Sequence, residues 1–392
     1  MREVLILSAV RTPIGRFLGG LSTVPAPRLG AVAIRAALQR AGVTAAQVDE
    51  VIMGNVLSAG LGQAPARQAA LYAGLPETVP ALTVNKMCGS GLKAVMLAAQ
   101  AIQCGDADIV VAGGMENMSL APYLLERART GYRYGDAALV DSMLRDGLVD
   151  AYSRKHMGQC CELLNREYHF SREEQDAFAV QSYRRALAAM DAGMFAAELV
   201  PVEVPRDRGG PVTVDEDEEP RRVNFEKLPA LPPAFDPGGS VTAANSSSIS
   251  DGAAAVVVAS AEAARRLPGA PLARIIGQAT AAGAPEWFTV QPAAAIRRLL
   301  HKVAWSLDQV DLLEINEAFA SVVLAAQRDL GVDADRVNVH GGAVALGHPI
   351  GASGARILAT LLHAMARYGG RRGIASACIG GGEAVALAVE RV

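Results

Sequence analysis

The stretch LKAVMLAAQAIQCGDADIVVAGG, residues 92–114, contains the unit from which the fold is built. From Leu92 to Gln103 the apolar side chains follow helical spacing, and Gly105 is suited to end that helix. Asp108 to Ala112 is then typical of a buried strand, which ends in Gly113-Gly114. Because a helix that returns directly into a buried strand is the repeating unit of α/β proteins, we predict an α/β fold.

The residues before this stretch repeat the alternation of helix and strand. Four predicted elements precede it: a strand from Val4 to Ala9, a helix through Leu29 and Ala36 that ends at Gly42, a strand from Val51 to Val56, and a helix from Pro65 to Tyr72. Strands separated by helices of this length predict a parallel sheet that is covered on both faces.

A second series of the same kind follows residue 252. Its predicted elements are the strand AAAVVVAS at 253–260, a helix over 293–303, a strand from Asp311 to Asn316, a helix over 317–329 and a closing strand from Ala384 to Val389. Glycine-bounded strand ends occur near the end of each series, VVAGGMEN at 110–117 and ASACIGGGEA at 375–384. We interpret the two series as a duplication of one α/β unit.

Residues 120–249 differ from both series because charges and tyrosines are denser there. The capping box Ser171-x-x-Glu174 predicts a helix running towards Met190. Residues 201–237 contain eight prolines and the acidic run Asp215 to Glu219, which we interpret as a solvated loop. The chain is therefore expected to divide into an N-terminal α/β half (1–119 with 250–268), an inserted domain (120–249) and a C-terminal α/β half (269–392).

Composition argues against several classes of protein. The 37 Lys and Arg residues nearly balance the 40 Asp and Glu residues, which argues against a dedicated nucleic-acid binder. No window of about 18 apolar residues lacks a charge or a Gly, Pro or His cluster, so we expect no membrane span. The first ten residues are typical of a strand rather than an export signal. Five cysteines without repeated spacing or a zinc-ligand pattern predict a reducing cytoplasm and no metal.

The segment Asn85-Lys-Met-Cys88-Gly-Ser-Gly91 lies at a predicted strand-to-helix junction. The positive end of the helix dipole and the free N–H groups there favour a thiolate on Cys88, and the glycines let a substrate approach the backbone. A small buried cysteine in a tight turn is the alternative, because free cysteine is among the most buried residue types. Cys104, Cys160 and Cys161 are assigned to packing.

Residues 338–354, NVHGGAVALGHPIGASG, are too rich in glycine to form a packed helix or a long strand, and predict a shaped loop. Within it His348 lies between Gly347 and Pro349 and has little to pack on, and an imidazole is the usual base that activates a thiol. A hydrogen bond that braces the loop is an equally good interpretation of His348. The sequence contains neither a phosphate-loop motif nor a dinucleotide-binding fingerprint after its first strand.

Two further segments carry groups that could take part in chemistry. Cys378, in Cys378-Ile-Gly380-Gly-Gly382, could act as a base, and Gly380 can present its N–H to an oxyanion. A redox pair with Cys88 is the alternative, although no Cys-x-x-Cys motif occurs. Asn316 ends a predicted strand, where it is either a polar site residue or the cap of the next helix.

Together these segments resemble the thiolase family along essentially the whole chain. The resemblance rests on five motifs in this order: Asn85-x-x-Cys88-Gly-Ser-Gly91, Gly113-Gly114-x-Glu116-x-Met118-Ser119, Asn316-Glu-Ala-Phe319, Gly347-His348-Pro349-Ile-Gly351 and Cys378-Ile-Gly-Gly-Gly382. It implies a duplicated, five-layered αβαβα core. It also implies that the inserted domain is a loop domain that covers the substrate and makes oligomer contacts.

The resemblance implies a role for each candidate residue. Cys88 matches the nucleophile that takes the acyl group as a thioester, and His348 matches the histidine that activates it. With a water held by Asn316, His348 also forms an oxyanion hole for the thioester enolate. Cys378 matches the acid/base that acts on the α-carbon. The N–H groups of Cys88 and Gly380 match a second oxyanion hole.

The resemblance also implies residues that bind the substrate and coenzyme A. Ser247 matches a serine near the pantetheine, and Arg221 an arginine near the nucleotide, with pairing to the acidic run as its alternative. His156 and Met157 match the substrate-pocket segment of short-chain members. The aromatic residues expected to line this pocket, with core packing as their alternative, are Phe235, Phe288 and Phe319.

The implied function is an acyltransferase that condenses two acetyl-CoA to acetoacetyl-CoA and catalyses the reverse thiolysis. A broader-chain 3-ketoacyl-CoA thiolase of fatty acid β-oxidation is the runner-up. We expect a cytoplasmic homotetramer, a dimer of dimers, with coenzyme A thioesters as substrates and no cofactor. A ketosynthase-type enzyme would not have Cys378, a Cys/His thioester hydrolase would not need free CoA, and a non-catalytic acyl-CoA-binding protein would not depend on Cys88.

Overall fold

The computed structural model of the protein describes residues 2–206 and 210–392. The strands are β1 (Val4–Arg11), β2 (Gly15–Arg16), β3 (Glu50–Gly54), β4 (Ala81–Val84), β5 (Ile109–Asn117), β6 (Tyr123–Leu124), β7 (Val140–Asp141), β8 (Val202–Val204), β9 (Val212–Val214), β10 (Ser250–Ser260), β11 (Ala273–Ala282), β12 (Leu312–Ile315), β13 (Arg372–Ile379) and β14 (Glu383–Arg391). The α-helices are α1 (Ala26–Ala41), α2 (Pro65–Ala73), α3 (Ser90–Cys104), α4 (Met157–Tyr168), α5 (Arg172–Asp191), α6 (Ala261–Ala264), α7 (Gln291–Val303), α8 (Ala320–Leu330), α9 (Ala343–Leu346) and α10 (Ile350–Tyr368).

The predicted duplication is confirmed by strand pairing. In the N-terminal half β1 pairs antiparallel with β10, β10 antiparallel with β5, and β5 parallel with β3. In the C-terminal half β11, β14, β13 and β12 repeat the same three pairings in the same order. The halves meet where Leu5 pairs with Arg274 and Ile6 with Ala273. The glycine-bounded strands β5 and β13 occupy equivalent positions in the two halves.

The prediction of a parallel sheet was wrong, because the sheet is mixed. Its parallel pairs within the described residues are β3 with β4, β3 with β5, and β12 with β13. In the C-terminal half, β13 returns into β14 through the tight turn at Gly380 to Gly382, where Gly381 and Gly382 have positive φ. A turn this short can join only antiparallel strands, since a parallel connection needs a crossover of a dozen or more residues.

Alternate side chains of the strands enter different hydrophobic cores, which confirms the five layers. On β10, Val256 and Val258 belong to a central core with α3 and α10, whereas Val257 belongs to an outer core with α1 and α2. A third core joins the other face of the C-terminal strands to α7 and α8. Helix α10 is buried on almost all sides because strands of both halves pack on it. The layer order is therefore αβαβα.

The segment between β5 and β10 contains α4, α5 and the hairpins β6–β7 and β8–β9. The predicted capping box is confirmed, since Ser171 Oγ accepts from the Glu174 N–H at 3.1 Å and starts α5. The interpretation of the acidic run as a solvated loop was wrong for Asp217. Its carboxylate is buried and accepts two hydrogen bonds from the buried Arg11 guanidinium, because that cation needs a partner inside the protein.

The catalytic candidates converge because of where these elements end. Cys88 precedes α3 and His348 precedes α10, the two helices of the central layer. Asn316 follows β12, and Cys378 is near the end of β13, the parallel neighbour of β12. Ends of parallel strands and starts of the following helices lie at one edge of an α/β layer, where ligands commonly bind. No helix of the described residues is long and apolar enough to cross a membrane.

Candidate active site

A cavity of about 330 Å³ lies at this edge of the layers. Nine of the twelve residues that the sequence singled out line it: Cys88, His156, Met157, Phe235, Ser247, Phe288, Phe319, His348 and Gly380. The inserted segment supplies one wall, in part through the π-helical turn Leu144–Leu148. Most of the other walls are apolar side chains, so a ligand bound here is largely removed from water.

Cys88 lies in a strained turn at the start of α3. The preceding residue, Met87, has φ of 45°, a left-handed conformation that costs energy for a non-glycine residue. Ser90 Oγ holds the turn, since it accepts from the Lys86 N–H at 2.9 Å and donates to the Met87 carbonyl at 2.6 Å. A Cβ on Gly89 would lie 2.5 Å from Ile379 Cδ1, so glycine allows this turn to pack directly on the end of β13.

The surroundings of Cys88 act on its thiol in opposite directions. Burial raises the pKa of the Cys88 thiol to about 11, while the backbone N–H groups of Gly380 and of Cys88 itself hydrogen-bond to the sulfur and oppose that rise. The thiol is therefore protonated at neutral pH and needs a base to become a nucleophile. The expectation that the helix terminus favours a resting thiolate was wrong, because desolvation outweighs the N–H donors.

His348 is buried beside the cavity in its neutral form. Burial and, to a smaller extent, the nearby Arg356 guanidinium lower the pKa of the imidazole to about 3. Its Nδ1 is 2.5 Å from Ser353 Oγ, which also lies 2.9 Å from the Pro349 carbonyl as a donor. Both contacts are satisfied when Nδ1 carries the proton, donates to Ser353, and Ser353 donates to Pro349. The Nε2 lone pair of His348 is then free to accept a proton.

Asn316 is fully buried, and its side chain has no hydrogen-bond partner within the described chain. His348 Nε2 shares this property. Buried polar groups nearly always have a partner, so these atoms are available to a substrate or to solvent. The alternative in which Asn316 caps the next helix does not hold, because Phe319 is the N-cap residue of α8.

Cys378 is fully buried behind the cavity wall, in a hydrophobic cluster with Met157, Phe288 and Phe319. Burial raises the pKa of its thiol well above the ordinary value, and the neighbouring sulfurs of Cys88 and Cys161 raise it further. Cys378 is therefore a protonated thiol close to Cys88, and can act as an acid before it acts as a base.

All of the predicted binding residues except Arg221 line the cavity. His156, Met157, Phe235 and Phe319 lie together, with the His156 and Phe235 rings stacked at 4.7 Å and Phe235 edge-on to Phe319 at 6.1 Å. Ser247 is on the same wall and donates to the Ala318 carbonyl at 2.9 Å.

Arg221 is not part of the cavity lining. Its guanidinium pairs with Asp191 at 3.0 Å and with Glu216 of the acidic run. The alternative interpretation, an ion pair with those acids, therefore describes its contacts.

Sequence reasoning missed several residues of this site. It gave no role to Ser353, which bonds His348, or to Glu116, although both belong to segments that it quoted. Ile350 of the lining also belongs to a quoted motif without being given a role, whereas Leu148 carried no signal. Cys160 and Cys161 are buried as predicted, whereas Cys104 is exposed, so its assignment to packing was wrong. It lies at the last position of α3, where the helix end meets solvent.

The described part of the chain contains no group of three or more His, Cys, Asp or Glu residues that could hold a metal ion.

Comparison with known proteins gives a consistent result. The family models for the thiolase N-terminal and C-terminal domains match residues 4–262 and 269–391. The chain is 56% identical over 392 residues to an acetyl-CoA acetyltransferase of Pseudomonas aeruginosa, with 100% of both chains covered. It is 54% identical to acetyl-CoA acetyltransferase 2 of Arabidopsis thaliana, covering 99% of this chain and 97% of that one.

Two solved structures have nearly the same fold. The acetyl-CoA acetyltransferase of Bacillus anthracis superposes with a TM-score of 0.98 at 44% identity, covering 100% of this chain and 99% of that one. A thiolase of Ascaris suum in complex with coenzyme A superposes with a TM-score of 0.95 at 45% identity, covering 100% of both chains.

Proposed function

The chain belongs to the thiolase family, and from that membership and the geometry around Cys88 we propose how it works. It is an acyltransferase that condenses two acetyl-CoA molecules to acetoacetyl-CoA and, in reverse, cleaves acetoacetyl-CoA with coenzyme A. The observation that supports the mechanism below is the meeting of Cys88, His348 and Gly380 in one cavity that is mostly apolar.

In the first step the Cys88 sulfur attacks the thioester carbonyl of acetyl-CoA. Its proton passes to Nε2 of His348, which is neutral and has no partner in the free enzyme. The N–H groups of Cys88 and Gly380 stabilise the oxyanion that forms, since both already donate to the Cys88 sulfur, next to the carbonyl that it attacks. The departing CoA sulfur takes the proton of Cys378, which leaves acetyl-Cys88, a protonated His348 and a Cys378 thiolate.

In the second step the Cys378 thiolate removes an α-proton from a second acetyl-CoA. The enolate oxygen is stabilised by the Nε2–H of His348 and by a water on Asn316. The enolate carbon attacks the acetyl group, the C–S bond to Cys88 breaks, and Cys88 regains its proton from His348. Every proton is then back on its original atom, so the same groups also serve the reverse reaction.

Ser353→Ala is expected to lower kcat about tenfold, because the His348 ring loses the hydrogen bond that fixes its orientation and tautomer. Steady-state thiolysis of acetoacetyl-CoA measures the effect. Thr360→Val is the matched control, since it removes another buried hydroxyl of α10, the one that donates to Glu198 at 3.1 Å, away from His348. Equal kcat in the two variants would contradict a specific role for Ser353.

The acyl-enzyme is tested by incubating the protein with acetyl-CoA, quenching in acid and identifying the modified peptide by mass spectrometry. We expect one acetyl group per chain, on the peptide that contains Cys88, and its loss when free CoA is added. The exposed Cys104 serves as an internal control for non-specific acetylation. An unmodified Cys88 peptide, or acetyl on Cys104 to the same extent, would argue against the covalent mechanism.

The remaining expectations are part of the same proposal. We propose a homotetramer, supported by exposed apolar side chains concentrated in the inserted segment, namely Leu120, Tyr123, Leu125, Tyr134 and Leu139. A cytoplasmic location is supported by five cysteines that are all free thiols. Arg221 remains a candidate for the nucleotide end of coenzyme A. The division at residues 119, 249 and 268 also stays a proposal, as does the absence of a cofactor.

A further inference from the structure

Glu116 is a buried carboxylate that the mechanism above does not use. It lies at the end of β5 and is 0% exposed. Its two oxygens accept hydrogen bonds from Asn55 Nδ2 at 2.8 Å and from the N–H groups of Val56 at 3.0 Å, Leu57 at 3.1 Å and Gly351 at 2.9 Å. Burial raises the pKa of the Glu116 carboxyl group to about 7, and the N–H donors of Leu57, Val56 and Gly351 oppose that rise by favouring its ionised form.

The four donors come from both halves of the protein. Asn55, Val56 and Leu57 follow β3 in the N-terminal half, whereas Gly351 is the second residue of α10. The Gly351 N–H is one of the first four of its helix, which have no partner inside the helix, and a carboxylate there also complements the helix dipole. Glu116 therefore holds the start of the helix that follows His348.

The backbones of the two halves are in direct contact at this point. A Cβ on Gly114, two residues before Glu116, would lie 2.0 Å from the Gly351 carbonyl oxygen, so β5 and α10 touch through glycine. A shift of the Glu116 side chain would therefore move the start of α10, and with it His348, relative to β5.

The same carboxylate also acts on the surroundings of Cys88. Cys88 packs against a small cluster that includes Val56, Leu57 and Ile350. Glu116 accepts hydrogen bonds from the backbone of Val56 and Leu57, and from Gly351, the residue after Ile350. The negative charge of Glu116 raises the pKa of the Cys88 thiol. The further charge facing Glu116 is Asp251, which accepts hydrogen bonds from Ser119 at 2.6 and 3.0 Å.

We propose that Glu116 is a positioning residue for the acyl-transfer reaction: it holds the His348 helix and the wall formed by residues 55–57 in place around Cys88. This inference rests on the proposed role of Cys88 as the nucleophile. Glu116 touches neither substrate nor the reacting atoms, so it acts through His348 and Cys88.

Glu116→Gln tests the proposal. A neutral amide keeps the shape but presents its NH₂ group to the donors, so we expect kcat for acetoacetyl-CoA thiolysis to fall about a hundredfold. The KM for CoA should stay within about twofold, because the cavity walls formed by Ser247 and Phe235 are untouched. The pH midpoint of Cys88 alkylation by iodoacetamide should be lower in this variant than in the wild type, because removing a negative charge favours the thiolate.

Glu162→Gln is the matched control. Glu162 is also a buried carboxylate held by backbone donors, the N–H groups of Ser240 at 2.8 Å and Val241 at 2.7 Å. We expect this variant to lose thermal stability while keeping the wild-type alkylation midpoint. If Glu116→Gln likewise loses stability but keeps the midpoint and kcat of the wild type, Glu116 is only structural and the proposal is overturned.

Asn55→Ala covers the case in which Glu116→Gln does not fold. It removes one of the four donors and keeps the charge, so kcat should fall about fivefold with an unchanged alkylation midpoint. A wild-type kcat in Asn55→Ala would overturn the positioning role. Failure of the proposed function can be distinguished from failure of this inference. In the first case the wild-type protein would show no CoA-dependent cleavage of acetoacetyl-CoA. Alkylation of Cys88 does not depend on turnover, because it is measured on the peptide.

Discussion

Replacing Cys88 by alanine is expected to abolish acyl transfer in both directions, with a loss in kcat/KM of about four to six orders of magnitude. The covalent intermediate cannot form without the sulfur, and neither His348 nor the N–H groups of Cys88 and Gly380 can supply another nucleophile. Steady-state rates of acetoacetyl-CoA thiolysis and of acetyl-CoA condensation measure the loss. Substrate binding should persist, because the apolar walls of the cavity are intact.

Cys104→Ala is the matched control for this variant. Cys104 is an exposed thiol at the far end of the same helix, α3. The Cys104→Ala variant should retain wild-type rates. It therefore separates the effect of removing a thiol at an end of α3 from the effect of removing the nucleophile. Residual turnover of more than about one per cent in Cys88→Ala would contradict the assignment, since loss of a covalent catalyst leaves far less.

Replacing Cys378 by alanine is expected to separate the two half-reactions. Condensation should fall by about three to four orders of magnitude, because no other group in the cavity is placed to remove the α-proton. Acetylation of Cys88 by acetyl-CoA should survive at a reduced rate, since His348 can still take the Cys88 proton and pass it to the departing sulfur. Single-turnover acetylation and steady-state condensation, measured on the same preparation, report the two steps.

Cys160→Ala is the control for burial in this case. Cys160 is a buried thiol of the same hydrophobic cluster as Cys378. Its truncation should lower stability through the cavity that it leaves, without removing condensation. If acetylation and condensation fall by the same factor in Cys378→Ala, then the loss of Cys378 does not specifically impair removal of the α-proton, and its proposed role as the base of the second step is wrong.

The parts of the site that the sequence predicted are those whose signal is local. Cys88 and His348 lie in glycine-rich turns, and Cys378 lies at the end of a strand just before such a turn. These segments contain little else that can react. Nine predicted residues line one cavity because the ends of α/β elements gather at one edge. The two α/β series were recognisable for the same reason, since hydrophobic periodicity is a property of short windows.

The parts that the sequence did not predict depend on distant partners. Glu116 bonds the Gly351 N–H across 235 residues, and Asp217 reaches Arg11 across 206 residues. Periodicity also says nothing about the direction in which strands pair. The strands β10 and β14 were therefore predicted, but their antiparallel pairing was not. The resting state of Cys88 was misjudged because burial, which opposes the helix terminus, is decided by walls that come from elsewhere in the chain.

The most direct test of the account follows the loss of acetoacetyl-CoA with and without free CoA, using the wild-type protein and Cys88→Ala. We predict rapid loss in the wild type that requires CoA and produces acetyl-CoA, and no loss in Cys88→Ala under either condition. Loss of acetoacetyl-CoA by the wild type without CoA would instead mean that water accepts the acyl group. That result, or no loss in the wild type at all, would contradict acyl transfer through Cys88.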